Sequence, residues 1–170
     1  KGCNWTWSAL FPHGIWGFSV GSEMNMLTSL AVYASISKHY GIPLNFPGNP
    51  DLYNSVYQIV DVSLLSRAMV WAATTPKATN EAFNITNGDF TRWCHLWPRI
   101  ADFFEMDVGE IRQVKLQSLM SDKENVWKEI CDKHNLNYYK MNDLATWRFM
   151  DYAFNNGFDQ MSCLNKIRNA

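Results

Sequence analysis

Large and small side chains alternate from Trp5 to Phe11, with Trp5, Trp7, Ala9 and Phe11 on one face and Thr6, Ser8 and Leu10 on the other, until Pro12 intervenes. A period of two predicts a strand closed by a turn. A glycine-punctuated loop follows, from His13 to Ser22. From about Met24 to Tyr40 the period becomes helical, with Leu27, Leu30, Ala31, Ala34 and Ile36 available for the inner side. Gly41 is placed to end that helix and Pro43 cannot continue it. Leu44 to Phe46 reads as a short strand, and 47–50, Pro-Gly-Asn-Pro, as a turn-rich loop. Val56 to Val62 is β-rich and hands over at Asp61 or Ser63, either able to cap a helix running to about Thr74. The apolar side of that helix is Leu64, Ala68, Val70 and Trp71.

Ala82 to Thr86 is a further short strand, Asn87-Gly88-Asp89 turns the chain, and Asp89 is a candidate cap for a helix through Phe104. Trp93, Leu96, Trp97, Ile100 and Phe104 repeat there at helical spacing, and Pro98 predicts a kink or a late start. A third long helix is expected from about Leu116 to His134, with Leu119, Met120, Val126, Trp127, Ile130 and Cys131 inward. Asp143 is the candidate cap of a fourth, buried along Leu144, Trp147, Met150 and Phe154. Leu164 to Ala170 reads as one more helical stretch. Helices with short strands between them make the class α/β, helix-rich towards the C-terminus.

Composition narrows this picture. At 170 residues and 47% hydrophobic content the chain is long enough for one sizeable core, and a single domain, 1–170, is the expectation. Aromatics reach 15%, more apolar surface than such a core usually needs, so part of it is expected to line a pocket or face another domain. Fifteen basic against 16 acidic residues give a formal charge of −1 without a basic patch, which argues against nucleic acid and anionic membranes as partners. No run approaches the roughly 18 apolar residues of a membrane span, and nothing near Lys1 has the layout of a signal peptide, so a cytoplasmic location is the default. Cys3, Cys94, Cys131 and Cys163 stand far apart with no histidine at ligand spacing, which suits idle thiols better than a metal. The chain starts without Met and stops inside a basic, helical stretch, and we read both ends as cuts in something longer.

Few residues announce chemistry. The loop Gly14 to Ser22 joins a strand to a helix, and its glycines let a ligand approach backbone closely, but it is neither Gly-x-Gly-x-x-Gly nor a phosphate loop. Asp61 and Asp89 each precede a helix, where capping accounts for them better than catalysis. His13, His39, His95 and His134 are isolated along the sequence. Trp93, Trp97, Trp127 and Trp147 fall at core positions, whereas Phe149 lies off the apolar line of its helix and suits a ligand-facing wall.

Taken together, Trp5-Thr6-Trp7-Ser8, Phe11-Pro12, Gly17-Phe18-Ser19, Met24-Asn25, Val32-Tyr33-Ala34, Phe46-Pro47-Gly48, Trp71-Ala72-Ala73, Asn80-Glu81-Ala82-Phe83-Asn84, His95-Leu96-Trp97 and Trp147-Arg148-Phe149 resemble one family, in order, along nearly the whole chain. That family is the progesterone 5β-reductase and iridoid synthase group of short-chain dehydrogenases. The resemblance implies an extended dehydrogenase fold of the NAD(P)-binding Rossmann type, of which this chain is the C-terminal, substrate-binding portion. It implies hydride transfer from NADPH to the β-carbon of an enone or enal, while a Tyr hydroxyl assisted by a Lys stabilises the enolate oxygen. Both of those residues, and the glycine-rich nucleotide fingerprint, fall before the strand with which this chain begins, so no catalytic residue is assigned here. Ile15, Ser22, Glu23 and Met24 match the segment that touches the nicotinamide end and phosphates of the cofactor, with Glu23 standing where Met is usual. Gly14 stands where plant members often have Asn beside the substrate, and Met24 and Phe149 match apolar pocket walls. The expected partner is a small apolar carbonyl compound, and the resemblance allows a homodimer. Two other functions stay open: a nucleotide-sugar epimerase or dehydratase on the same fold, and a non-catalytic binding domain that kept it.

Overall fold

The helical period after Met24 appears as helix α1, Met26–His39, in a computed structural model that describes residues 5–170. Cys3 lies outside the described residues. Asn25 caps α1, its Oδ1 accepting the Thr28 N–H at 3.0 Å. At the other end Gly41, at φ +65°, donates to Lys38 O at 2.9 Å, and Ile42 donates to Ser37 O at 3.0 Å, a left-handed closure that glycine makes without strain. Leu30, Ala34 and Ile36 are buried as expected, and Val32, Tyr33, Thr28 and Ser29 are buried with them.

The strands are β1 Ser8–Pro12, β2 Gly14–Trp16, β3 Leu44–Phe46, β4 Val56–Tyr57, β5 Ile59–Asp61, β6 Glu81–Ile85, β7 Thr91–Arg92 and β8 Val108–Ile111. The remaining helices are α2 Pro50–Asn54, α3 Val62–Thr74, α4 Trp93–Phe103, α5 Leu116–Leu119, α6 Glu124–Lys133, α7 Met141–Leu144, α8 Trp147–Phe154 and α9 Asn165–Arg168. The class is α/β. Contacts gather these elements into two units, one built from the residues up to Gly17 with Gln58–Phe90 and Gln160–Ala170, the other from Phe18–Tyr57 and Thr91–Asp159.

In the first unit β1 runs parallel to β6, from Ser8 opposite Glu81 to Pro12 opposite Ile85, and β2 runs parallel to β5. Val60, Ala78, Phe83 and Ile85 form its core, with Leu10, Leu64, Leu65 and Trp71 packed against them. Trp71 meets Phe83 edge-on at 5.1 Å between centroids, a favourable aromatic geometry. Asp61 caps α3, accepting from the N–H groups of Ser63 and Leu64 at 2.8 and 3.3 Å, so capping is its role. Val70, expected on the inner side of α3, is instead 65% exposed.

In the second unit β3 runs parallel to β8, a strand the sequence reading lacked, and β4 pairs antiparallel with β7. Phe46 of β3 sits among Tyr53, Trp97 and Phe154 at 4.9–5.2 Å between ring centroids. The Trp97 indole N–H donates to Leu44 O at 2.9 Å, fixing α4 to the strand. Three helix expectations are corrected. Asp89 caps nothing, because α4 begins only at Trp93 after β7. The span from Leu116 to His134 is broken into α5 and α6, which leaves Leu119 45% exposed rather than inward. Asp143 lies inside the short α7, and Thr146 occupies the N-cap position of α8. Pro98 lies within α4, where it has no N–H to offer the preceding turn.

Candidate functional site

Two segments carry the candidate residues, one in each unit. In the first unit Gly14 and Ile15 belong to β2 and pair with Ile59 and Val60, so the loop expected from 13 to 22 starts as a strand. Ile15 keeps 41% of its surface exposed. Gly17, just after β2, permits a close approach, since a Cβ there would lie 2.6 Å from the Cβ of Val62. The entry to β2 is fixed by His13, whose Nε2 lies 2.7 Å from Ser162 Oγ. The Ser162 N–H donates to Gln58 Oε1 at 2.6 Å, and the buried Gln58 amide donates on to Thr86 Oγ1 at 3.3 Å. Burial lowers the pKa of His13.

In the second unit the segment Phe18 to Met24 is tied down before α1 begins. Asn25 donates to Ser19 Oγ at 2.6 Å while it caps the helix. The Gly21 N–H donates to Asp143 O at 2.6 Å, and Thr146 Oγ1 donates to Ser22 O at 3.3 Å. Beneath these, Ser29 Oγ donates to Asn25 O at 2.6 Å and accepts the Thr146 N–H at 3.2 Å. Thr28 Oγ1 donates to Leu144 O at 2.5 Å. The start of α1 and the junction of α7 with α8 thus form one polar clamp. Phe149 sits in the first turn of α8, half-buried, three residues beyond Thr146.

The structure therefore brings Ser22, Glu23 and Met24 to the junction that leads into Phe149, while Gly14 and Ile15 lie on a strand of the other unit. Ser22, Glu23 and Met24 are all exposed, Met24 to 70%. The sequence reading missed Asn25, Ser29 and Thr146. An Asn directly ahead of an apolar helical run is a capping signal that was present for Asn25, whereas contacts 117 residues apart, as between Ser29 and Thr146, leave no local trace.

Burial pushes the Tyr33 and Tyr57 hydroxyls up to about 12, and Tyr138, whose hydroxyl donates to Glu124 at 2.6 Å, is held at about 12 as well. Among the described residues no group of three His, Cys, Asp or Glu side chains is gathered for a metal, and no helix is long and apolar enough to cross a membrane.

No family model matches the chain. It is 42% identical over 154 residues to an (S)-8-oxocitronellyl enol synthase of Nepeta cataria, covering 89% of this chain and 40% of that one. The corresponding synthase of Catharanthus roseus is 41% identical over 155 residues, with the same coverage. A 3-oxo-Delta(4,5)-steroid 5-beta-reductase of Arabidopsis thaliana is 39% identical over 149 residues, 86% of this chain and 38% of that protein. The chain spans about two fifths of the length of these relatives, as the 40% coverage states. Among solved structures, a UDP-glucose 4-epimerase of Thermotoga maritima with UDP-glucose matches at TM-score 0.48 and 18% identity, over 64% of this chain and 33% of that one. A UDP-glucose 4-epimerase of Thermus thermophilus in complex with NAD matches at TM-score 0.45 and 14% identity, over 84% and 47%.

Proposed function

Because this chain belongs to the progesterone 5β-reductase and iridoid synthase group of extended short-chain dehydrogenases, we propose that it is the substrate-binding part of an NADPH-dependent reductase of activated C=C bonds. The observation that carries the reading is the 42% identity to an (S)-8-oxocitronellyl enol synthase across 89% of the chain. When bound, NADPH supplies a hydride for the β-carbon of an enone or enal.

The residues present fit that group. Ser22 and the main chain of 22–24 stand exposed just ahead of α1, a 14-residue helix whose N-terminal end favours negative charge. Glu23, an exposed carboxylate, suits a ribose hydroxyl or the carboxamide N–H and not a phosphate. Ile15 offers an apolar surface to the nicotinamide end. Met24 and Phe149, in the second unit, would supply apolar walls, and Gly14, in the first, has no side chain to offer a substrate. The clamp through Asn25, Ser29 and Thr146 holds the cofactor-facing segment and the helix of Phe149 in one geometry, which is what orienting a substrate against a cofactor requires. By the family resemblance, the Tyr that meets the enolate oxygen and its assisting Lys fall outside this chain, and none of the tyrosines here is assigned that role.

The complete polypeptide is expected to oxidise NADPH when given a small apolar enone. Met24→Ala and Phe149→Ala should each raise the enone KM by roughly tenfold. Inertness towards enones with turnover of a nucleotide sugar would replace this reading by the epimerase one, and binding of neither cofactor nor ligand would leave a non-catalytic domain.

A further inference from the structure

The second unit holds a cavity of about 440 Å³ that none of the candidate residues lines. It lies between the last two turns of α1, the turn after that helix, and the segment running from β8 into α5. Ser37, on its wall, stands eleven residues beyond Met26, about 16 Å along the helix at 1.5 Å per residue. Ile36 and Met120 form a buried apolar floor, 2% and 3% exposed. Tyr40, Ile42, Val114 and Leu119 surround the mouth and remain 49%, 46%, 37% and 45% exposed, so large apolar side chains converge here without covering one another.

Two cations join this apolar lining, Arg112 and Lys123. Lys123 Nζ stands 5.8 Å over the Tyr40 ring, with its side chain only 23% exposed. Each cation has a carboxylate neighbour. Arg112 donates from Nε and Nη2 to Glu110 Oε2 at 3.1 and 3.0 Å, and Lys123 donates to Asp122 Oδ1 at 2.7 Å. Glu110 and Asp122 are themselves 76% and 74% exposed, and pairs this open to water are weak and screened by salt. A carboxylate carried in on an apolar body therefore competes well for both cations, because its body gains the apolar floor of Ile36 and Met120 in addition to the charge. The Arg112 guanidinium also has donors on Nη1 besides those given to Glu110.

We propose that this cavity is a second binding site, for a small amphipathic carboxylate whose apolar body lies over Ile36 and Met120 and whose anionic end meets Arg112 and Lys123. The volume falls within the roughly 300–1,000 Å³ of small-molecule sites. The site is independent of the reductase reading, and its test does not depend on turnover.

Calorimetric titration of the complete polypeptide with octanoate and, separately, octanol tests it. Octanoate should bind roughly tenfold more tightly than octanol at low salt, and raising the salt should narrow that gap. Arg112→Gln, at a side chain 61% exposed and so expected to leave the fold intact, should remove most of the octanoate preference while leaving octanol affinity unchanged. Ser37→Met, which fills the cavity, should weaken both, with thermal unfolding as the check that the variant is folded. Equal affinity for acid and alcohol, no binding at millimolar ligand, an Arg112→Gln variant that binds octanoate as before, or displacement of octanoate by NADPH would each overturn the proposal.

Discussion

Asn25 serves two structures at once, capping α1 through its oxygen and holding Ser19 through its amide nitrogen. Asn25→Ala removes both, and loss of the cap alone should lower stability by about 1 kcal/mol, read as a fall in the urea midpoint. Thr146→Val is the sharper probe, because it keeps the shape and removes only the donor to Ser22. It should raise the KM for NADPH and for the enone together by a few fold, with thermal stability little changed, while Thr146→Ser restores both. A rise in neither KM would show the clamp to be structural only. His13 contributes at another pH. Burial lowers its pKa from 6.5, so the unfolded chain binds the extra proton first, and stability from this residue is present above pH 6.5 and is lost as pH falls through the lowered value. His13→Gln should flatten the dependence of the melting temperature between pH 7.5 and 5.5, about one unit either side of the ordinary histidine value. An unchanged slope would exclude His13 as its source.

At the scale of elements, what the sequence makes legible is set by how local each cause is. The strand Leu44–Phe46, the closure of α1 at Gly41 and the capping of α3 by Asp61 follow from neighbouring residues, and all three appear where expected. The caps proposed at Asp89 and Asp143 fail because each has good local chemistry in the wrong place: α4 waits for Thr91 and Arg92 to pair with β4, and the end of α7 is fastened instead by Thr28 reaching Leu144. The break at Met120 to Lys123 is made by local turns, with Lys123 donating to Met120 O and Ser121 to Ser118 O, that the helical period of 116–134 hides, while the strand β8 depends on β3 far back in the chain, so no period within 108–111 discloses it. The same long-range packing explains Trp97, whose core position was legible while its bond to Leu44 was not. Trp97→Phe leaves a buried carbonyl without that donor and should destabilise the fold by about 1–3 kcal/mol, checked by chemical unfolding. Gly17→Ala places a methyl against Val62 and should cost a similar amount, about 1–3 kcal/mol, with a rise in the NADPH KM as β2 and the segment after it shift.

For the whole molecule, composition excludes more than it assigns. A net charge of −1 and the lack of a long apolar helix among the described residues leave an α/β chain rich in aromatics, and Trp93, Trp97, Trp127 and Trp147, expected in the core, are all buried, the first two packed against Phe46. The candidate segments were legible only through their resemblance to a family, because Gly14, Ser22 and Phe149 share no motif and no spacing that chemistry would demand. The clamp gives Ser22 and Phe149 a physical reason to act together: hydrogen bonds tie the segment ahead of α1 to the junction that begins the helix of Phe149. The proposed 1,4-reduction of an enone leaves an isotopic signature. With NADPH carrying deuterium at its transferable position and a small enone, the complete polypeptide should place one deuterium on the β-carbon of a saturated product. Deuterium on the carbonyl carbon, or none in any product while the cofactor stays reduced, would contradict it.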